Sequence, residues 1–151
     1  MIIAVDFDGT IVEHAYPDIG KPIPFAFAVL KKLQQEERHI LILWTVREGD
    51  LLQEAVDFCS KNGLEFYAVN KNYPEEEAEN TPRKILADIY IDDKNIGGLP
   101  DWSVIYKAIL SGSIDFQDID DYVSDNNKMM RKKRNFFIRI GEALETARRY
   151  R

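Results

Sequence analysis

The stretch AVDFDGT, residues 4–10, decides how the rest of the chain is read. An apolar run, Ile2 to Val5, enters Asp6, Phe7 and Asp8 and then leaves through Gly9 and Thr10. A short apolar run without alternation is the pattern of a strand buried on both faces. Such a strand gains nothing from ending on two carboxylates unless a ligand needs them, because burying charge is costly. Residues two apart in a strand point the same way, so Asp6 and Asp8 are expected to address one group of atoms, although the chain is already turning at Asp8. Gly9 permits a sharp exit that lets backbone approach that group.

Outward from this strand, the pattern alternates. Residues 10–22 hold Pro17, Gly20 and Pro22 and read as a loop. Pro24 suits a first helical turn, and Ala26, Val29, Leu30 and Leu33 recur at helical spacing over 25–38. HILILWT (39–45) reads as a second buried strand, and DLLQEAVDFCSKNG (50–63) as a helix stopped by Asn62-Gly63. EFYAVN (65–70) reads as a third strand, 73–87 as an acidic and then weakly helical segment, and DIYIDD (88–93) as a fourth strand. DWSVIYKAILSG (101–112) reads as a helix with Asp101 as its N-cap and Gly112 past its end. The order β-α-β-α-β-α-β-α predicts an α/β fold: a Rossmann-like parallel sheet with helices on both faces.

Composition narrows the class. The chain has 151 residues, the size of one domain, and 45% of them are hydrophobic, enough for a core. A net charge of −6 does not suit a globally basic nucleic-acid binder. The single cysteine, Cys59, excludes an intrachain disulfide and fits a reducing compartment; it falls near Val56 on a helix and is expected in the core. The N-terminus carries no basic segment followed by a cleavage site, and no apolar run reaches the roughly 20 residues of a membrane span. A soluble cytoplasmic protein is expected.

In open α/β sheets, ligands bind beyond the carboxyl ends of the strands. That edge collects Asp6 and Asp8 from strand one, Thr45 and then Arg47 from strand two, and Asp92 and Asp93 from strand four, with Lys84 shortly before. Carboxylates this close repel one another. A hard divalent cation relieves them, and an all-oxygen ligand set favours Mg²⁺ over Zn²⁺. A carboxylate can attack phosphorus, a second can move the proton, and a hydroxyl and an ammonium can hold the phosphoryl oxygens. Asp6, Asp8, Thr45 and Lys84 are the candidates for these roles, with Gly9, Thr10 and Arg47 around the substrate.

DFDGT after an apolar strand, a strand-ending Thr, a Lys and IDD, in that order, resemble the haloacid dehalogenase-like superfamily of phosphohydrolases over about residues 1–110. The resemblance implies that Asp6 is the nucleophile and a metal ligand, and that Asp8 is the acid/base, its backbone carbonyl also on the metal. It implies Thr45 as the phosphoryl-binding hydroxyl, Lys84 as the neutralising base, and Asp92 as the third metal position, with Asp93 beside it reaching the metal from the outer shell or through water. Arg83 and Lys71 are alternatives to Lys84. The family inserts cap domains after the first motif or between the second and third. Residues 11–38 leave room for a flap, Glu13–Lys21, and one helix, while 46–83 are consumed by a helix, a strand and an acidic segment. A capless member with an open mouth is implied.

A catalytic core over 1–112 is expected to give way to a tail over 113–151. Residues 115–125 carry five aspartates, and 128–151 are strongly basic, with Phe137, Ile140, Leu144 and Ala147 at helical spacing. The tail reads as an acidic linker and an amphipathic helix that packs on its own domain or on a twin subunit. Docking of an anionic polymer or membrane surface is the sharper alternative. The function expected is a Mg²⁺-dependent phosphatase acting on a phosphorylated substrate, small rather than polymeric. A metal-dependent nuclease and a silent phosphate- or nucleic-acid-binding module are the rivals.

Overall fold

The computed structural model describes residues 1–77 and 84–112. Four strands, β1 (Ile2–Val5), β2 (Ile40–Leu43), β3 (Ala68–Val69) and β4 (Ile89–Ile91), form one sheet in the order β3-β2-β1-β4. Every pairing is parallel. Helices α1 (Ala26–Gln35), α2 (Gly49–Lys61) and α3 (Trp102–Ser111) complete the described elements. This is the α/β, Rossmann-like arrangement that the alternating pattern predicts.

Two successive crossovers carry the chain from β1 to β2 to β3, and the third returns it to the far side of β1. Right-handed crossovers therefore put α1 and α2 on one face and the described part of the β3–β4 connection around Ile85 on the other. The side chains agree. Ile3, Val5, Leu41 and Leu43 alternate toward one face and are completely buried, as are Leu30 and Leu33 of α1 and Ala55 and Cys59 of α2. Phe58 of α2 joins the layer together, its ring 6.3 Å from Phe7 and 6.1 Å from Phe27 of α1. On the other face Ala4, Ile42 and Ala68 pack with Ile85, flanked by half-buried Ile2, Trp44, Ala87 and Tyr90.

The weak helix expected over 73–87 is absent from the described parts of that segment. Residues 73–77 and 84–87 are irregular. Side chains hold them instead of a helical ladder: Asn72 Oδ1 accepts the Leu86 N–H at 2.6 Å, Asn72 N–H donates to Glu76 at 2.6 Å, and the Tyr90 hydroxyl donates to the Ile85 carbonyl. Pro74 and the like charges of Glu75–Glu77 disfavour a helix there.

Other boundaries shift for identifiable reasons. β3 spans two residues of the six expected, because it lies at the sheet edge; single bonds from Tyr67 N–H to Leu41 and from Asn70 N–H to Leu43 extend its pairing. α1 starts after Phe25, which adopts φ 68°, and stops at Gln35, before Arg38 at φ 55°. α2 ends at Asn62-Gly63 as predicted, with Gly63 at φ 75°. Asp101 caps α3 as predicted, its Oδ1 accepting the Ser103 N–H at 2.8 Å.

Glu13 N–H donates to the Lys21 carbonyl and Val12 bridges Pro22, so the expected flap is a loop closed at its base. The chain divides into two units, Met1–Tyr106 and Lys107–Arg151. The tail expected over 113–151 lies outside the described residues. No described helix is long and apolar enough to cross a membrane.

Candidate active site

The strand order reverses between β1 and β4, and open α/β sheets take their ligands outside the carboxyl ends of the strands at such a switch point. Register fixes what meets there. Val5 lies beside Ile91, and the Asp6 N–H continues the ladder to the Ile91 carbonyl at 2.9 Å. Asp6 and Asp92 thus leave the sheet side by side and at one level. With Asp93 they form a cluster in which one oxygen of each carboxylate lies within 4.8 Å of the others.

All three residues are half-buried. Burial pushes the Asp6 carboxyl up to about 7, and the charges of Asp92 and Asp93 push the same way. The Phe7 N–H and the Thr10 hydroxyl oppose them. Three converging carboxylates suit a hard, oxygen-seeking cation, and Asp6, Asp92 and Asp93 are the residues that could hold it.

Gly9 and Thr10 build the floor of this cluster rather than a surface for substrate. Thr10 is completely buried; its hydroxyl donates to Asp6 Oδ2 at 3.2 Å and accepts the Asp93 N–H at 3.0 Å. One side chain thereby ties the first loop to the fourth. The Trp102 indole N–H anchors the same residue through its carbonyl at 3.1 Å. Gly9 adopts φ +87°, and a Cβ there would stand 2.5 Å from Asp93 Oδ2. Its own N–H is spent on the Val12 carbonyl at 2.7 Å. A glycine is needed because the Asp93 carboxylate occupies the space a side chain would take.

In this structure the Asp8 carboxylate is bonded to Arg47 and is not part of the Asp6–Asp92–Asp93 cluster. The chain turns at Phe7, whose carbonyl accepts the N–H groups of Thr10, Ile11 and Val12. Strand alternation ends there. Asp8 turns to Arg47, which grips it with two parallel bonds, Nε to Oδ2 at 2.6 Å and Nη2 to Oδ1 at 2.7 Å. Arg47 is completely buried and raised further above its usual basicity by that bond. It is therefore an internal partner of Asp8, which corrects its expected place as a substrate contact.

Thr45 is held from both sides. Its N–H donates to Asn70 Oδ1 at 2.8 Å, and its hydroxyl accepts the Arg47 N–H at 3.3 Å. Asn70 sits just past β3 at φ 53°, a conformation Asn tolerates, and its amide also reaches the Arg47 carbonyl at 3.5 Å. Nothing in the local sequence marks Asn70, since its partners are over twenty residues away.

The lysines rearrange. Lys84 is exposed, with its ammonium over the Tyr90 ring, 4.6 Å from the centroid. Lys71 donates to the Pro74 carbonyl, and Arg83 lies outside the described residues. The described ammonium that answers the acidic cluster is Lys94, which bonds Asp93 and feels the charges of Asp6 and Asp92. Its signal was available: it follows IDD directly.

No protein-family model and no curated protein matches this sequence. A solved structure of a conserved protein from Bacteroides thetaiotaomicron is similar to it, with 60% sequence identity over 79% of this chain and 96% of that one, at a TM-score of 0.72. At that identity and coverage, the chain belongs to the family of that conserved Bacteroides thetaiotaomicron protein.

Proposed function

We propose that this protein is a Mg²⁺-dependent phosphohydrolase that works through an aspartyl-phosphate on Asp6. The observation that carries this reading is the convergence of Asp6 with Asp92 and Asp93 at the strand-order switch. The motif order resembling haloacid dehalogenase-like phosphohydrolases supports it.

Asp6, Asp92 and Asp93 would hold the cation. When bound, Mg²⁺ supplies positive charge to the phosphoryl oxygens and relieves the repulsion between the carboxylates. Asp6 then attacks: its oxygen bonds to phosphorus as the bond from phosphorus to the leaving oxygen breaks. Asp8 gives its carboxyl proton to that leaving oxygen. Water next attacks the phosphorus of the acyl phosphate, Asp8 takes its proton, and orthophosphate leaves with Asp6 restored. Thr45 would hold a phosphoryl oxygen through its hydroxyl. Lys94, already at the carboxylates, is better placed than Lys84 to neutralise phosphoryl charge. The substrate class is a phosphate monoester. A reducing, cytoplasmic setting suits the lone and buried Cys59, whose thiol burial pushes up to about 12.

The test is release of p-nitrophenol from p-nitrophenyl phosphate, with Mg²⁺ and with excess chelator. Metal-dependent release that is lost in Asp6→Asn is the expected result. Release that persists in chelator or in Asp6→Asn would reject the reading.

A further inference from the structure

Arg47 lies on the short connection between β2 and α2, yet its side chain is completely buried. A buried guanidinium needs its charge and its donors matched. Asp8 supplies the charge and takes two donors, at 2.6 and 2.7 Å. The flap supplies much of the rest. Nη1 donates to the Pro17 carbonyl at 3.0 Å and Nη2 to the Asp18 carbonyl at 2.8 Å. The planar group lies near two rings, 5.1 Å from the centroid of Phe7 and 5.3 Å from that of Tyr16, itself a flap residue half open to solvent. The Arg47 N–H meets the Thr45 hydroxyl at 3.3 Å. One side chain thus joins the second motif aspartate, the tip of the flap and the loop that carries Thr45.

Both oxygens of Asp8 accept N–H groups from Arg47, and Asp8 is only 6% exposed. Its carboxyl can meet a leaving group only after this packing opens. We propose that Arg47 is the positioning residue of the general acid: it holds the Asp8 carboxylate and the flap tip as one unit, so that displacement of the flap by a leaving group and release of Asp8 to protonate it are coupled. This rests on the phosphohydrolase reading for its chemistry, in which the Asp8 proton passes to the leaving oxygen as the phosphorus–oxygen bond breaks. The coupling itself does not.

Two measurements separate these parts. The first is amide hydrogen exchange on the full chain for wild type, Asp8→Asn and Arg47→Lys. The coupling predicts that Asp8→Asn, an isosteric change, speeds exchange at the flap amides of Glu13 and Ile23 by about tenfold or more, while Asp6 and Trp44 at the ends of β1 and β2 keep their protection. Arg47→Lys, which cannot fork, should do the same. Unchanged flap exchange in Asp8→Asn overturns the proposal, whatever the activity. The second compares hydrolysis of an alkyl phosphate, whose leaving oxygen needs a proton, with dinitrophenyl phosphate, whose leaving group does not. Arg47→Lys should lower kcat on the alkyl ester by about 10²-fold and leave the activated ester within severalfold. Equal losses on both would make Arg47 merely structural and overturn the proposal. If wild type hydrolyses neither ester, the phosphohydrolase reading fails and the exchange result alone decides the coupling.

Discussion

Replacing Asp6 by Asn should make the metal-free protein more stable, and only in one pH range. Burial first, and then the charges of Asp92 and Asp93, raise the Asp6 carboxyl from 3.8 to about 7. The unfolded chain releases this proton near 3.8 and the folded chain near 7. The protonated form is thus favoured by folding: its contribution is fully present below the unfolded value and lost as pH rises through the folded one. The displacement sets a ceiling of about 4 kcal/mol. Asp6 is only half-buried, and solvent screening reduces this to roughly 1–3 kcal/mol at pH 8. Asn keeps the shape and can still accept the Thr10 hydroxyl, so little else changes. Urea unfolding in excess chelator would read the difference. Asp6→Asn should exceed wild type at pH 8, the gap narrowing through pH 6 and closing near pH 4. A variant less stable than wild type at pH 8, or a gap independent of pH, would refute the electrostatic reading of the cluster.

Other consequences follow from the same geometry. A proton on Asp6 competes with the cation, so apparent Mg²⁺ affinity should fall up to tenfold per pH unit below about 7 and level off above it, as read by titration calorimetry. Gly9→Ala forces a side chain into φ +87° and onto Asp93; it should cost about 1–2 kcal/mol in urea unfolding and weaken Mg²⁺ binding about tenfold or more. Lys94→Ala should lower phosphatase kcat by about 10²-fold and Lys84→Ala by no more than severalfold, as initial rates would show. The opposite ranking would return the neutralising role to Lys84.

The sequence was most readable where local pattern and physics coincide. The buried strand before Asp6 and the IDD end of β4 are short apolar runs, and pairing them in parallel brings their carboxylates together. The stop at Asn62-Gly63 and the cap at Asp101 are set by residues within one turn of the helix end, and both were legible. What was not legible depended on distant partners. Arg47 and Asp8 are thirty-nine residues apart, so the sequence offered Arg47 only as one more cation near the mouth. The turn at Phe7 is set by its carbonyl taking three N–H donors, which no alternation rule anticipates. Past that turn, Asp8 is bonded to Arg47. The segment 84–87 carries a helical-looking run, but side chains of Asn72 and Tyr90 fix it in another form. The place of Lys84 before β4 suggests the neutralising role, whereas its ammonium lies over the Tyr90 ring.

The covalent role of Asp6 is the central claim, and trapping tests it most directly. The enzyme would be quenched during turnover of p-nitrophenyl phosphate with Mg²⁺ and treated with borohydride, which reduces an acyl phosphate to the alcohol. Mass spectrometry of the N-terminal peptide should then find homoserine at position 6, dependent on both substrate and metal. An unmodified Asp6 in enzyme that is demonstrably turning over would contradict the account and favour direct attack by water.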